Sequence, residues 1–311
     1  MITTQFSSGD AIADRRADYA RMLSEAGDYA AAAELFEQAL ELVPGWTAGL
    51  VMLGEARDKA GLTDGAIEAF ETVARLDTTG LFGAPLKLAL LGAAPTPEHP
   101  PSAYVEGLFD DYADRFETAL VEKLNYTVPQ KLFALVQPLA PFRLTVDLGC
   151  GTGLFGAEVA SVTASLEGFD LSTNMLAKAE EKRIYHHLAQ ADLSEPADAS
   201  GLFGEDLPRG RADLVSAADV LMYLGSLEAP FALARDLLSP GGLFAFSVED
   251  AGEVETGFRL QGSLRYAHSK RYVRERLATF GFETLETQRT DIRMDAGKPV
   301  FGILFLARLA G

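Results

Sequence analysis

The sequence predicts an all-α helical region followed by an α/β region, the latter a doubly wound sheet with an antiparallel last strand. Three observations carry this. Residues 10–80 are dominated by Ala, Leu and Glu, with apolar side chains three and four positions apart, the spacing of amphipathic helices. From residue 144 onward, short apolar strands alternate with helical stretches, the pattern of a parallel sheet covered on both faces. At 311 residues the chain is long enough for about two domains, each with its own core.

The helical region repeats itself. A shift of 34 residues superposes Gly27 on Gly61, Ala32 on Ala66, Phe36 on Phe70, Ala20 on Gly54 and Tyr19 on Leu53. Small residues where two helices touch, a large one in the groove and Gly at the turn form the pattern of a tetratricopeptide helix pair. Pro44 closes the first repeat, whereas Thr78 stands at the matching place in the second; an unrelated pair of helical hairpins is the alternative. Two repeats are fewer than the roughly three that usually make a self-sufficient stack. A helix over Pro85–Leu91, the C-terminal domain or a second copy of the chain would cover the open end.

The expected domains are residues 1–92, a proline-rich linker over 93–101, and residues 102–311 with a helical N-terminal lid over 102–141. Four prolines in the ten residues GAAPTPEHPP remove backbone donors and disfavour helix. Beyond them SAYVEGLFDDYADRFETALVEKLNY reads as an amphipathic entry helix and QKLFALVQPL as a second helix. Strands follow at LTVDLGC, SLEGFDLS, YHHLAQADL, ADLVSAADV and GGLFAFSVE. Helices are expected from Gly153, from Thr173, over about 226–238 and near 270–280. FETLETQRT and VFGILFLARL close the chain as an antiparallel pair.

Charge narrows the partners. Against 27 Lys and Arg stand 45 Asp and Glu, a formal net charge of -18, which repels phosphate backbones and disfavours nucleic acid. Arg259–Arg276 is the local exception, with six cations against Glu275 alone; it either faces an anionic substrate or is a solvated helix face. Cys150 is the only cysteine and the four histidines are scattered, so no metal site is expected. No apolar run approaches the roughly 18 residues that cross a bilayer, and the N-terminus lacks a leader pattern. A cytoplasmic protein without a membrane partner is the expectation.

The chemistry centres on Gly149-Cys150-Gly151-Thr152-Gly153. Alternate glycines at a strand-to-helix turn let the backbone approach a ligand at the carboxyl edge of the sheet. Gly151, Gly153 and Gly156 also satisfy the dinucleotide fingerprint, so the turn alone leaves an NAD-dependent oxidoreductase open. The acids around it favour another ligand. Asp147 precedes the turn, Asp170 ends the next strand and Asp192 follows the third; a diphosphate fits such a pocket poorly, and a ligand with an amino group and a sulfonium fits it well.

VDLGCGTG, GFDLS, QADL, DLVSAADVLMYLG and LLSPGGLFAFSVE together resemble class I S-adenosylmethionine-dependent methyltransferases, over about residues 140–310. With the preceding helices, the chain resembles bacterial methyltransferases that carry N-terminal tetratricopeptide repeats. The resemblance implies a Rossmann-like sheet, S-adenosyl-L-methionine as cofactor, and methyl transfer to a small-molecule, carrier-bound or protein acceptor. It places Asp147 at the methionine amino group, Gly149, Gly151 and Gly153 along the cofactor, Asp170 and Leu171 at the ribose, and Ala191 and Asp192 around adenine. The stretch from Ala218 to Leu221 after the fourth strand would lie beside the methyl donor. The repeats would serve partner or substrate contact or dimerisation; a repeat scaffold that binds cofactor without turnover is the remaining alternative.

Tyr104, Tyr112, Phe116 and Tyr126 either close over the cofactor, as the resemblance implies for Tyr112, or pack within the lid. Methyl transfer from a sulfonium chiefly needs alignment, with a base only where the acceptor must lose a proton. Arg265-Tyr266-Ala267-His268-Ser269 lies past the fifth strand, at the expected acceptor mouth. His268 is the candidate base, Arg265 and Tyr266 candidate substrate contacts, and Glu249 a second candidate catalytic group; a helix cap at Ser269 with His268 merely exposed is the plainer reading.

Overall fold

The computed structural model describes residues 7–113, 126–295 and 297–311, and of Asp111, Tyr112 and Asp295 the backbone alone. The described residues form two compact units, Met1–Tyr104 and Val105–Gly311. Each has its own core.

The first unit is a helical stack: α1 (Ala11–Glu25), α2 (Tyr29–Leu42), α3 (Thr47–Lys59), α4 (Thr63–Leu76) and the short α5 (Ala84–Leu90). Its two halves share local geometry. Gly27 and Gly61 both take positive φ at the helix–helix turn, and Asp28 N donates to Leu23 O as Leu62 N donates to Arg57 O. These are the left-handed C-terminal caps that favour glycine. Ala32, Ala66, Phe36 and Phe70 are all buried. A Cβ on Gly54 would meet the Phe70 ring at 2.8 Å, which is why α3 carries a glycine there.

The period also exposes a difference. Trp46, Leu53 and Ala56 in the second repeat are buried, whereas their counterparts Ile12, Tyr19 and Met22 are 60%, 58% and 61% exposed. In the second repeat that face packs into the shared core of the stack; on α1 it is open. The far end is different. Leu88 of α5 packs with Ala66 and Phe70 of α4, with Leu91 and Ala94 alongside.

The second unit includes most of α6 (Ser102–Tyr112), then α7 (Val128–Val136), β1 (Phe142–Leu148), α8 (Leu154–Val159), β2 (Thr163–Asp170), α9 (Thr173–Glu181), β3 (His187–Gln190), β4 (Ala212–Ala217), α10 (Glu228–Leu237) and β5 (Leu238–Asp250). It ends with β6 (Phe258–Leu260), β7 (Tyr266–His268), α11 (Lys270–Thr279), β8 (Phe282–Asp295) and β9 (Lys298–Leu309). The main sheet runs β3-β2-β1-β4-β5-β9-β8, parallel through β5 and antiparallel for β9 and β8. Phe231, Phe244, Phe246 and Phe305 lead the core on one face, and Val136, Phe155, Leu166 and Leu304 that on the other.

The short β6–β7 hairpin was not anticipated from the sequence, since three-residue strands carry too little periodicity to read. Glu249 of β5 pairs with Gly302 of β9 and also with Ala267 of β7. A strand has two edges, so β7 must continue the β4 side beyond the end of β4. The hairpin thus stands over the carboxyl end of β4. Among the described residues, no helix is long and apolar enough to cross a membrane.

Gly54→Val should overpack the contact with Phe70 and lower the stability of the helical unit by about 1–3 kcal/mol. Trp46 is the chain's single tryptophan and is buried in that unit, so its fluorescence reads this unfolding directly. An unshifted denaturation midpoint would show that the two helices separate at no cost.

Candidate functional site

Topology brings the ends of β1, β2, β3 and β4 together where the strand order reverses, the place where open α/β sheets form their crevice. Asp147 and Asp170 both lie there and both are buried. Asp170 accepts from Gly151 N at 2.8 Å and from Ser172 N at 2.9 Å, so it pins the glycine turn of β1 to the end of β2. Burial pushes its pKa up to about 6, against those backbone donors. Asp147 accepts from the Ser216 hydroxyl at 2.8 Å and the Tyr185 hydroxyl at 2.9 Å. Burial pushes it up to about 6 as well, opposed by the same two hydroxyls.

Three amides of the turn are spent inside the protein. Gly151 N serves Asp170, Cys150 N donates to Phe169 O and Gly153 N to Cys150 O. Gly149, Gly151 and Gly153 all have positive φ, and a Cβ on Gly149 would strike Val220 at 2.4 Å. The buried Thr152 Oγ1 has no hydrogen-bond partner. Gly156, third in the apparent dinucleotide fingerprint, makes room for a side chain: a Cβ there would sit 2.2 Å from the Tyr185 hydroxyl.

Along the crevice, Ala191 N donates to Asp170 O, Leu171 O accepts from Gln190 Nε2, and the Asp192 carboxylate is bound by the amide and hydroxyl of Ser194. Helix α6 crosses these strand ends. Glu106 accepts from Gln190, Asp110 accepts from the Ser172 hydroxyl at 2.6 Å, and Phe109 meets Tyr223 edge to face at 5.0 Å. The three belong to one helical face. The Tyr112 side chain and Phe116 lie outside the described residues; Tyr104 packs on Gly83 within the first unit. Tyr126 is buried and carries the charges of Asp219, Arg293 and Asp147 around it.

At the ends of β4 and β5 the chemistry is different. Ala218 is half-buried, and Asp219 takes φ 58, a left-handed conformation unusual for a residue with a side chain. Arg293, from β8 and almost fully buried, binds the Asp219 carboxylate with one nitrogen and Glu249 with another. Glu249 also receives Arg265 Nε at 2.8 Å and Gln261 Nε2 at 2.7 Å. Burial raises the Asp219 pKa to about 6, with Arg293 opposing.

Three expectations change here. His268 is wholly buried rather than at an open mouth; its Nε2 bonds Gly225 O at 3.0 Å, and burial brings its pKa down to about 4. Such an imidazole is a neutral brace between β7 and the loop after β4. Tyr266 is also wholly buried, its ring packed on Phe258, so it is a core residue of the hairpin. Glu249 is a hub of three donors rather than a lone carboxylate facing an acceptor. Ser269 does cap α11, accepting from Tyr272 N. Sequence reasoning missed Tyr185, Asp110 and Arg293, and placed Asp219 at the edge without its arginine partner. Arg293 is the hardest to foresee, since its partners lie 74 and 44 positions away.

Against this geometry, the sequence family described as "Methyltransferase domain" matches residues 121–287. The chain belongs to that methyltransferase family. A tetratricopeptide repeat family matches residues 23–79, ahead of the methyltransferase domain. A malonyl-[acyl-carrier protein] O-methyltransferase of Legionella pneumophila is 30% identical over 175 residues, 53% of this chain and 57% of that protein. A ubiquinone biosynthesis O-methyltransferase of Burkholderia thailandensis is 30% identical over 110 residues, 34% of this chain and 44% of that protein. The chain thus spans about half the length of these curated relatives. Magnesium protoporphyrin IX methyltransferase from Synechocystis PCC 6803 shares the fold of the methyltransferase domain: TM-score 0.50, 20% identity, 67% of this chain and 99% of that one.

Arg293→Met should destabilise the methyltransferase domain by roughly 3–5 kcal/mol, because it strands Asp219 and half the pairing of Glu249 in the interior. Denaturant unfolding followed by circular dichroism measures this, and a loss below about 1 kcal/mol would mean that water already reaches the cluster.

Proposed function

We propose that this chain transfers a methyl group from S-adenosylmethionine to an oxygen of a small-molecule or carrier-bound acceptor. One observation carries the reading. Two buried carboxylates, Asp147 and Asp170, line a crevice at a glycine turn three of whose amides, those of Cys150, Gly151 and Gly153, are committed within the protein. A cationic adenosine compound gains from such a lining, and a diphosphate finds carboxylates where it needs donors. The oxidoreductase alternative therefore has no support.

The residues present fit the cofactor by donor set. Asp147 would accept from the ammonium group, Asp170 from the ribose hydroxyls, and Ala191 with Asp192 would bracket the adenine. Each carboxylate oxygen has a second lone pair beyond the bond described above, so these roles coexist with the internal bonds. Gly149, Gly151 and Gly153 would let the chain lie close to the ligand, with Leu171 and Ala218 beside it and α6, including Tyr112, across it. Once bound, S-adenosylmethionine supplies an electrophilic methyl group whose sulfur leaves as a neutral thioether.

On the acceptor side the chain orients rather than deprotonates. Arg265, Arg293, Asp219 and Glu249 hold one another beneath the β6–β7 hairpin, and His268 is engaged with the backbone. An acceptor that arrives as a carboxylate or an acidic hydroxyl needs alignment and no strong base. The names of both curated relatives, O-methyltransferases for a malonyl-carrier and a ubiquinone precursor, support an oxygen acceptor. We read the repeats as a partner-binding or dimerisation region, supported by the open face of Ile12, Tyr19 and Met22.

Radiolabel from methyl-tritiated S-adenosylmethionine should pass to a carboxylic or phenolic acceptor in a panel that includes a malonyl-carrier; transfer to none, with no cofactor binding, would overturn the reading. Binding should also report the buried acids. Asp147 and Asp170 are ionised above about 6 and protonated below it, so the affinity for S-adenosylhomocysteine should fall as pH drops. Between pH 7.5 and 5 the loss should reach about tenfold or more, one pH unit below the pKa leaving about a tenth of each acid ionised. Calorimetry at the two pH values checks it, and Asp170→Asn should cost roughly 1–3 kcal/mol at pH 7.5.

A further inference from the structure

Tyr185 lies in the segment before β3, outside every motif that the cofactor reading uses, yet three glycines accommodate it. A Cβ on Gly156 would stand 2.2 Å from its hydroxyl, on Gly168 2.7 Å from its ring and on Gly153 2.9 Å from its ring. The slot formed by α8, β2 and the glycine turn is therefore filled by this phenol. Its hydroxyl emerges at Asp147, donating to Oδ2 at 2.9 Å while Ser216 donates to Oδ1 at 2.8 Å. A hydroxyl on each oxygen, with the Gly156 amide beside them, fixes the plane of the carboxylate, and the loss of either hydroxyl leaves one oxygen without its side-chain donor.

We propose that Tyr185 is a positioning residue for the cofactor: with Ser216 it clamps the Asp147 carboxylate in the one orientation that receives the ammonium group of the methionine moiety. The inference rests on the cofactor reading above. It gives Gly156 and Gly168 a purpose apart from phosphate binding, since both clear the path of the phenol. It also predicts a ligand-specific effect. The clamp acts on the amino-acid end of the ligand and leaves the adenosine end untouched.

The test uses the full chain and two probes, S-adenosylhomocysteine, which carries the ammonium group, and methylthioadenosine, which lacks it. Tyr185→Phe keeps the ring in its slot and removes only the donor. Calorimetry should find S-adenosylhomocysteine bound about 5- to 50-fold more weakly by Tyr185→Phe, with methylthioadenosine unchanged within about twofold. Ser216→Ala, acting on the other oxygen, should give the same split, and Asp147→Asn a larger one. Equal weakening of both probes, or of neither, overturns the clamp, with thermal melting showing that each variant is folded. Failure of the unaltered protein to bind S-adenosylhomocysteine overturns the cofactor reading itself, and with it the clamp.

Discussion

The bond from Gly151 N to Asp170 is the constraint on which the crevice depends. It joins the turn after β1 to the end of β2, with Ser172 N holding the other oxygen. It sets the position of the glycine turn and consumes a donor that would otherwise face a ligand. It also keeps a carboxylate in a place that water barely reaches. Ionising a buried acid costs free energy, and the raised pKa values of Asp170 and Asp147 express that cost. The Asp170 charge also raises the cost of ionising Asp147, and the Asp110 charge that of ionising Asp170. The fold therefore carries a cost at these two acids.

The same sheet edge is neutralised where it meets β4 and β5. Glu249 is as deeply set as the first pair of acids and Asp219 slightly less so, but Arg293 and Arg265 lie on them. β8 is antiparallel to β9, which is itself antiparallel to β5, so β8 runs in the direction of the parallel strands and Arg293 near its end lies at their carboxyl end. Two unpaired acids at β1 and β2 and two paired ones at β4 and β5 divide the edge into a half that seeks a cation and a half that is already balanced.

Sequence alone carries the features that repeat or alternate. The 34-residue period reproduces itself in Gly27 and Gly61, and in the buried Phe36 and Phe70. Apolar runs locate the main strands, and an acid at the end of a run, as at Asp147 and Asp170, falls at the crevice because all parallel strands end on the same side. What escapes is pairing across the chain. Tyr185 meets an aspartate 38 positions earlier and Asp110 a serine 62 positions later, and nothing local distinguishes either from its neighbours. His268 illustrates the limit differently. Its place after β5 correctly puts it near the edge, but in a strand alternate side chains face opposite ways. Only the added β6–β7 hairpin turns that ring into the interior.

The helical unit obeys a different logic, in which each repeat is stable through its neighbours. Trp46, Leu53 and Ala56 are buried because a first repeat lies against them, whereas Ile12, Tyr19 and Met22 present the same face without such a cover among the described residues. The opposite end is sealed by α5, whose Leu88 reaches Phe70. The stack is therefore asymmetric, closed at one end and apolar at the other. Large apolar side chains about 60% exposed on one helical face are costly to leave in water and gain from any surface that covers them. The packing of the second repeat on the first shows what geometry such a cover takes, since the equivalent face, built of other side chains, is satisfied there by a neighbouring helix of the stack.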